Sequence, residues 1–160
     1  MKKRVIGLLL ALVLLMSLLP AGAMASGGEG ESGLTELWVN GVNMLNDPDY
    51  TVECGEDGGY ASYDKDSNTL TLRDAIITEG HTVYGGAYGI YAYGDLNIVL
   101  EGTSTAGSDK LDAGVNMDGN LTITGTGSLT TTGDDEAGID VSGNLTVNGG
   151  TVIGNHTDDT

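Results

Sequence analysis

A phrase that returns three times constrains this chain more than any other feature: Gly94-Asp95-Leu96-Asn97-Ile98, Gly119-Asn120-Leu121-Thr122-Ile123 and Gly143-Asn144-Leu145-Thr146-Val147. Each copy is led in by a glycine and a β-branched residue: Gly89-Ile90, Gly114-Val115 and Gly138-Ile139. The phrase glycines fall 25 and then 24 residues apart, a fixed period of the kind that marks a solenoid. Within each copy the apolar residues alternate, which is strand spacing and not helix spacing. Two dozen residues rich in Gly, Thr and Asn leave no room for a helix in each repeat, so the coils are expected to be short strands joined at glycine-marked bends. Stacked coils place Leu96, Leu121 and Leu145 in one internal column and Ile98, Ile123 and Val147 in another. No coil can bury its apolar side alone.

The ends of the chain divide from this repeat region. Lys2, Lys3 and Arg4 precede an apolar run from Val5 to Leu19, and Ala23-Met24-Ala25 supplies small residues before Ser26. Residues 1–25 read as a cleaved secretory signal, since the run is short of the ~20 apolar residues needed to span a bilayer. Residues 26–35 open with Gly, Ser and Glu, a flexible acidic linker. Residues 36–67 are expected to form a cap, with Leu37-Trp38-Val39 and Val42 flanking Asn40-Gly41 as a hairpin. Residues 68–160 hold the coils. The first begins at Asn68-Thr69-Leu70-Thr71-Leu72, which matches the later phrase, and continues inward through Ile76. The last rung stops without a capping hairpin, so the chain is expected to be the front of a longer one, truncated at its C-terminus.

Charge limits the partners. The chain carries a formal charge of −17, and beyond the signal only Lys65, Arg73 and Lys110 stand against 23 acidic residues. That balance opposes nucleic acid or an anionic membrane as a direct partner. An acidic polymer is reachable only with a cation between. Cys54 is the single cysteine, so no disulfide closes within the chain and a buried place in the cap is expected.

Trp38-Val39-Asn40-Gly41-Val42, Ala61-Ser62-Tyr63-Asp64, Asn68-Thr69-Leu70-Thr71-Leu72 and Gly89-Ile90-Tyr91-Ala92-Tyr93-Gly94-Asp95-Leu96 together resemble a known family. It is the carbohydrate-binding β-helix family of secreted or wall-attached clostridial-type repeat proteins, which includes calcium-dependent binders of polygalacturonate. The resemblance spans roughly residues 36–160. It implies a right-handed parallel β-helix shaped like the pectate lyases, Ca²⁺ on acidic rim positions, and binding of acidic plant polysaccharide without cleavage. It also implies an extracellular place, secreted or attached to the cell wall through sequence further on.

An acidic bend recurs between coils: Asp109 and Asp112 after Gly107, Asp134, Asp135 and Glu136 after Gly133, and Asp158 and Asp159 after Gly154. Asp109, Asp134 and Asp158 keep the repeat spacing and therefore stack on one edge. Neighbouring strands lie ~4.8 Å apart, which is also the span of two oxygens at ~2.4 Å on opposite sides of one Ca²⁺. Unit charges at that spacing repel by roughly 0.9 kcal/mol per pair in water, which an exposed rim tolerates without any ion. Both readings, a calcium edge and a solvated rim that keeps the coil soluble, stay open. Asp95, Asn120 and Asn144 form a further column, read as a side-chain ladder that satisfies bend backbone.

Tyr84, Tyr88, Tyr91 and Tyr93 gather in one coil. Their rings suit sugar stacking or cross-strand packing, and the sequence leaves both open. Trp38 is expected in the cap core. Lyase chemistry needs a basic residue beside the acidic sugar, and Arg73 and Lys110 stand alone within the coils. No serine or cysteine nucleophile motif is present, and His81 and His156 lack metal-ligand spacing. The run Thr130-Thr131-Thr132 invites comparison with ice-binding surfaces, but no regular Thr-x-Thr column is apparent across coils. The expected function is a non-catalytic extracellular carbohydrate-binding module. A structural or adhesive surface protein without a sugar ligand, and the front part of a lyase-like enzyme, are the alternatives.

Overall fold

The computed structural model describes residues 33–157. The expected signal peptide, the linker up to residue 32, and Asp158 and Asp159 lie outside the described residues. The fold is a β-solenoid of about four turns. Among the described residues the regular structure is sixteen strands and one short 3-10 turn, Glu56–Gly58, with no α-helix.

The cap comes first. β1 (Glu36–Val39) and β2 (Val42–Asn43) pair antiparallel about Asn40-Gly41. Both turn residues have positive φ, +50° and +77°, as a tight two-residue hairpin requires. β3 (Thr51–Glu53), β4 (Tyr60–Asp64) and β5 (Thr69–Arg73) then form an antiparallel meander whose last strand opens the first coil. The coil continues through β6 (Ile76–Ile77), an antiparallel hairpin strand β7 (His81–Val83), and β8 (Gly86–Tyr93). The second coil is β9 (Leu96–Glu101), β10 (Thr103–Ala106) and β11 (Ala113–Asp118). The third is β12 (Leu121–Gly125), β13 (Ser128–Gly133) and β14 (Ile139–Val141), and β15 (Leu145–Val147) and β16 (Thr151–His156) follow.

Stacking these coils makes three parallel ladders: β8-β11-β14, β5-β9-β12-β15 and β6-β10-β13-β16. The cap closes two of them. β1 lies antiparallel along β8, with Val39 opposite Ile90, and β4 lies along β5. The predicted columns form as expected, Leu96–Leu121–Leu145 and Ile98–Ile123–Val147, and all members but those of the last rung are buried. The first coil departs from the predicted alignment. Leu70 stands beside Ile98 and Leu72 beside Leu100, so its phrase sits two residues further along the ladder than the later copies. A shift of two keeps the same side chains inward, which is why the core accepts it. The inward set then passes to Ala75 and Ile77 across Asp74 (φ +46°), leaving Ile76 41% exposed on the outer side.

Two glycine columns follow from distance alone. A Cβ on Gly119 would stand 2.4 Å from the Gly94 carbonyl oxygen of the coil beneath, and its φ is +152°. A Cβ on Gly114 would stand 2.3 Å from the Ala106 carbonyl oxygen on another strand of its own coil. The repeat therefore spaces glycines where one backbone passes against another. The column beside them is the expected ladder: Asn120 donates its backbone N–H and side-chain amide to Asp95 Oδ1 at 2.8 and 2.9 Å, and Asn144 does the same to Asn120 Oδ1 at 3.0 and 3.1 Å.

Candidate functional site

The two acidic bends within the described residues fall on one corner of the coil, between the β10 ladder and the β8 ladder. Residues 107–112 turn that corner in the second coil and residues 134–138 in the third. In the first coil the β7 hairpin occupies the same place, with Tyr84 (φ +51°) and Gly85 (φ +97°) at its tip.

Backbone bonds lock the corner. The Asp112 N–H donates to the Ala87 carbonyl at 2.9 Å, the Asp134 N–H to Leu111 at 3.1 Å and the Glu136 N–H to Asp112 at 2.9 Å. Asp112 Oδ2 accepts from the Ala87 N–H at 2.5 Å, and Asp134 Oδ1 accepts from the Thr157 hydroxyl at 3.1 Å. Between these bends Asp109, Lys110, Leu111, Asp112, Asp134 and Asp135 line an open recess of about 160 Å³. The second and third coils thus bring four of the predicted carboxylates together. Glu136 turns away: its Oε1 lies 3.5 Å from the Tyr88 hydroxyl, and its Oε2 is buried with no hydrogen-bond partner among the described residues. Lys110 reaches across to Glu79 Oε1 at 3.2 Å, which ties the corner to the first coil.

The recess offers hard oxygen donors of the type calcium takes. Among the described residues no three acidic, histidine or cysteine side chains converge closely enough to hold a metal unaided. Calcium also accepts backbone carbonyl, water and ligand oxygens, and a sugar carboxylate is a donor of that kind.

The tyrosines separate into two kinds. Tyr84 is 99% exposed and Tyr93 is 48% exposed. Tyr88 and Tyr91, expected as candidate sugar-stacking rings, are 8% and 5% exposed, so their faces are closed to a ligand. The cover comes from elsewhere in the chain. Trp38 on β1 is the register partner of Tyr91, and His81 on β7 is the partner of Tyr88. The Trp38 and His81 rings stack at 3.8 Å with 5° between planes, and Tyr91 lies 5.9 Å from His81 and 6.0 Å from Tyr88. Burial pushes the Tyr88 hydroxyl up, and the Glu136 and Asp112 carboxylates add to it. Burial likewise raises Tyr91, with Glu36 next in effect.

His81 is therefore a strand residue in an aromatic stack. Trp38 belongs to this outer cluster and not to the solenoid core. Cys54 is buried in the cap as expected, and burial raises its thiol. The basic residues of the coils are both committed: Arg73 lies 3.8 Å from Glu101, and Lys110 is bonded to Glu79.

Outside the acidic corner, the β10 ladder presents a feature the sequence reading set aside. Thr103, Ser128 and Thr151 are register partners, as are Ile76, Thr105, Thr130 and Ile153. A hydroxyl-bearing column does run across the coils, hidden in the sequence because serine and isoleucine interrupt the literal Thr-x-Thr pattern.

No family model, no curated protein and no solved structure matches this chain.

Proposed function

We propose that this chain is a non-catalytic, extracellular polysaccharide-binding module, and that acidic polysaccharide reaches it through Ca²⁺ at the coil corner. The observation that carries this reading is the recess itself, where Asp109 and Asp112 of one coil face Asp134 and Asp135 of the next. Carboxylates from both coils and from a uronate-type sugar would share one ion, which answers the repulsion between an acidic protein and an acidic polymer. Tyr84, fully exposed at the hairpin tip on the same corner, offers a ring for the sugar's apolar face. The resemblance in sequence to calcium-dependent polygalacturonate binders points the same way. Arg73 and Lys110 each lie beside a carboxylate as exposed surface ion pairs, which supports a binding role over lyase chemistry.

Calorimetric titration of the chain with calcium tests the ion directly. Heat of binding should be present for the wild type and lost, or weakened by about tenfold or more, in Asp134→Ala/Asp135→Ala, which removes two of the charges that tune such a site. Equal binding by both proteins would remove the corner from the account.

A structural surface module is the second reading. The Asp95–Asn120–Asn144 ladder favours it, because it stiffens the coil with no ligand present.

A further inference from the structure

We propose that the outer face of the β10 ladder is a second binding surface, one that takes a rigid, uncharged polysaccharide lying flat across the coils. The face is built from the rows Thr103–Ser128–Thr151 and Ile76–Thr105–Thr130–Ile153, each member outward and in register with the next. Between coils the side chains repeat at ~4.8 Å, and along each strand at about 6.6 Å. Threonine and isoleucine are β-branched and hold few rotamers, so the grid is ordered before anything binds.

Two observations bear on the chemistry of the occupant. These rows carry no charged side chain, and the carboxylate at their edge, Asp74, is taken up by the Thr103 N–H at 2.8 Å. A neutral partner suits rows of hydroxyl and methyl groups that carry no charge of their own. Second, the inward hydroxyls of the same strands are used by the protein: Ser104 Oγ accepts from the Ala75 N–H at 3.1 Å, and the Thr131 hydroxyl donates to the Ile153 carbonyl at 3.2 Å. The outward hydroxyls make no such bond among the described residues and are free to act as donor and acceptor. Sugar hydroxyls have the same double character. Threonine methyls and the exposed Ile76 and Ile153 supply apolar contact for the C–H faces of sugar rings.

Each contact is weak, and no aromatic ring on these rows grips a single sugar. Affinity therefore comes from many matched contacts on a partner that loses little freedom on binding, which a polysaccharide already packed in a solid satisfies. This surface is separate from the acidic corner and needs no cation.

The test is retention of the full chain on microcrystalline cellulose and on crystalline chitin, both in chelator. The wild type should be retained on at least one, and Thr130→Lys, which sets a charge in the middle of the face, should lower the retained fraction by about tenfold or more. Calcium-dependent retention on polygalacturonate should be the same for both proteins, so loss of this face is told apart from loss of the corner. Thr105→Lys serves if Thr130→Lys does not fold by far-ultraviolet circular dichroism. Absence of wild-type retention on both solids in chelator, or equal retention of the lysine variants, would overturn the proposal. Shaping of ice crystals without retention on either solid would assign the grid to a water lattice and overturn it as well.

Discussion

Gly119→Ala sets a methyl group 2.4 Å from a carbonyl oxygen in the coil beneath and asks an L residue to hold φ +152°. We expect a cost of about 1–3 kcal/mol, read as a lower urea midpoint at unchanged slope. Alkali acts on other single groups. The Cys54 thiol and the Tyr63, Tyr88 and Tyr91 hydroxyls are all raised above their ordinary values of 9.0 and 10.0, burial being the first cause in each. Groups raised in the folded state stabilise it fully below the ordinary values and less as pH climbs from those values through the folded ones. The melting temperature should therefore fall between about pH 9 and 11, with these groups contributing no slope at neutral pH. A flat profile across that interval would contradict their burial. At this scale the sequence was most informative where the repeat was strict. The 94, 119 and 143 glycines and the 95, 120 and 144 side chains declared their columns by spacing. The burial of Tyr88 and Tyr91 could not be read the same way, because alternation assigns a ring to a face but does not say that Trp38, 53 residues earlier, will cover it.

The first coil is where the strands break the period. β7 replaces an acidic bend in the first coil, and the β1–β2 hairpin holds it down: Asn40 Oδ1 accepts the N–H groups of Thr78 and Glu79 at 3.1 and 3.0 Å. Asn40→Ala loses the one oxygen that accepts both N–H groups and the residue type that tolerates φ +50°. A destabilisation of about 1–3 kcal/mol is expected. Hydrogen exchange should quicken at the Thr78 and Glu79 amides, while the amides of β12 keep their protection. Uniform loss of protection would show instead that cap and coils open as one unit. The hairpin at Asn40-Gly41 was legible from its turn chemistry. β7 was not, because His81-Thr82-Val83 is too short to show a pattern and lies where the repeat lapses. The hydroxyl rows on the β10 ladder were half-legible: the threonines were visible, but register was needed to align Thr105 with Thr130 across Ser and Ile substitutions.

Residues 33–157 form a short coil that keeps most of its apolar residues inward and gathers four carboxylates at one corner. Under the proposed function, the corner supplies oxygen donors and an acidic polymer completes the ion's coordination. The period made the solenoid legible, and with it the gathering of Asp109 and Asp134 at one recess, but not the backbone pairing there, where the Asp134 N–H meets the Leu111 carbonyl. It did not show that Glu136 would turn to Tyr88, because that depends on a hydroxyl brought in by β8. The most direct test of the calcium-bridged corner is retention of the folded chain on immobilised polygalacturonate, in calcium and again in chelator. The account predicts retention with calcium that is released by chelator. Equal retention in both conditions, or none in either, would contradict it.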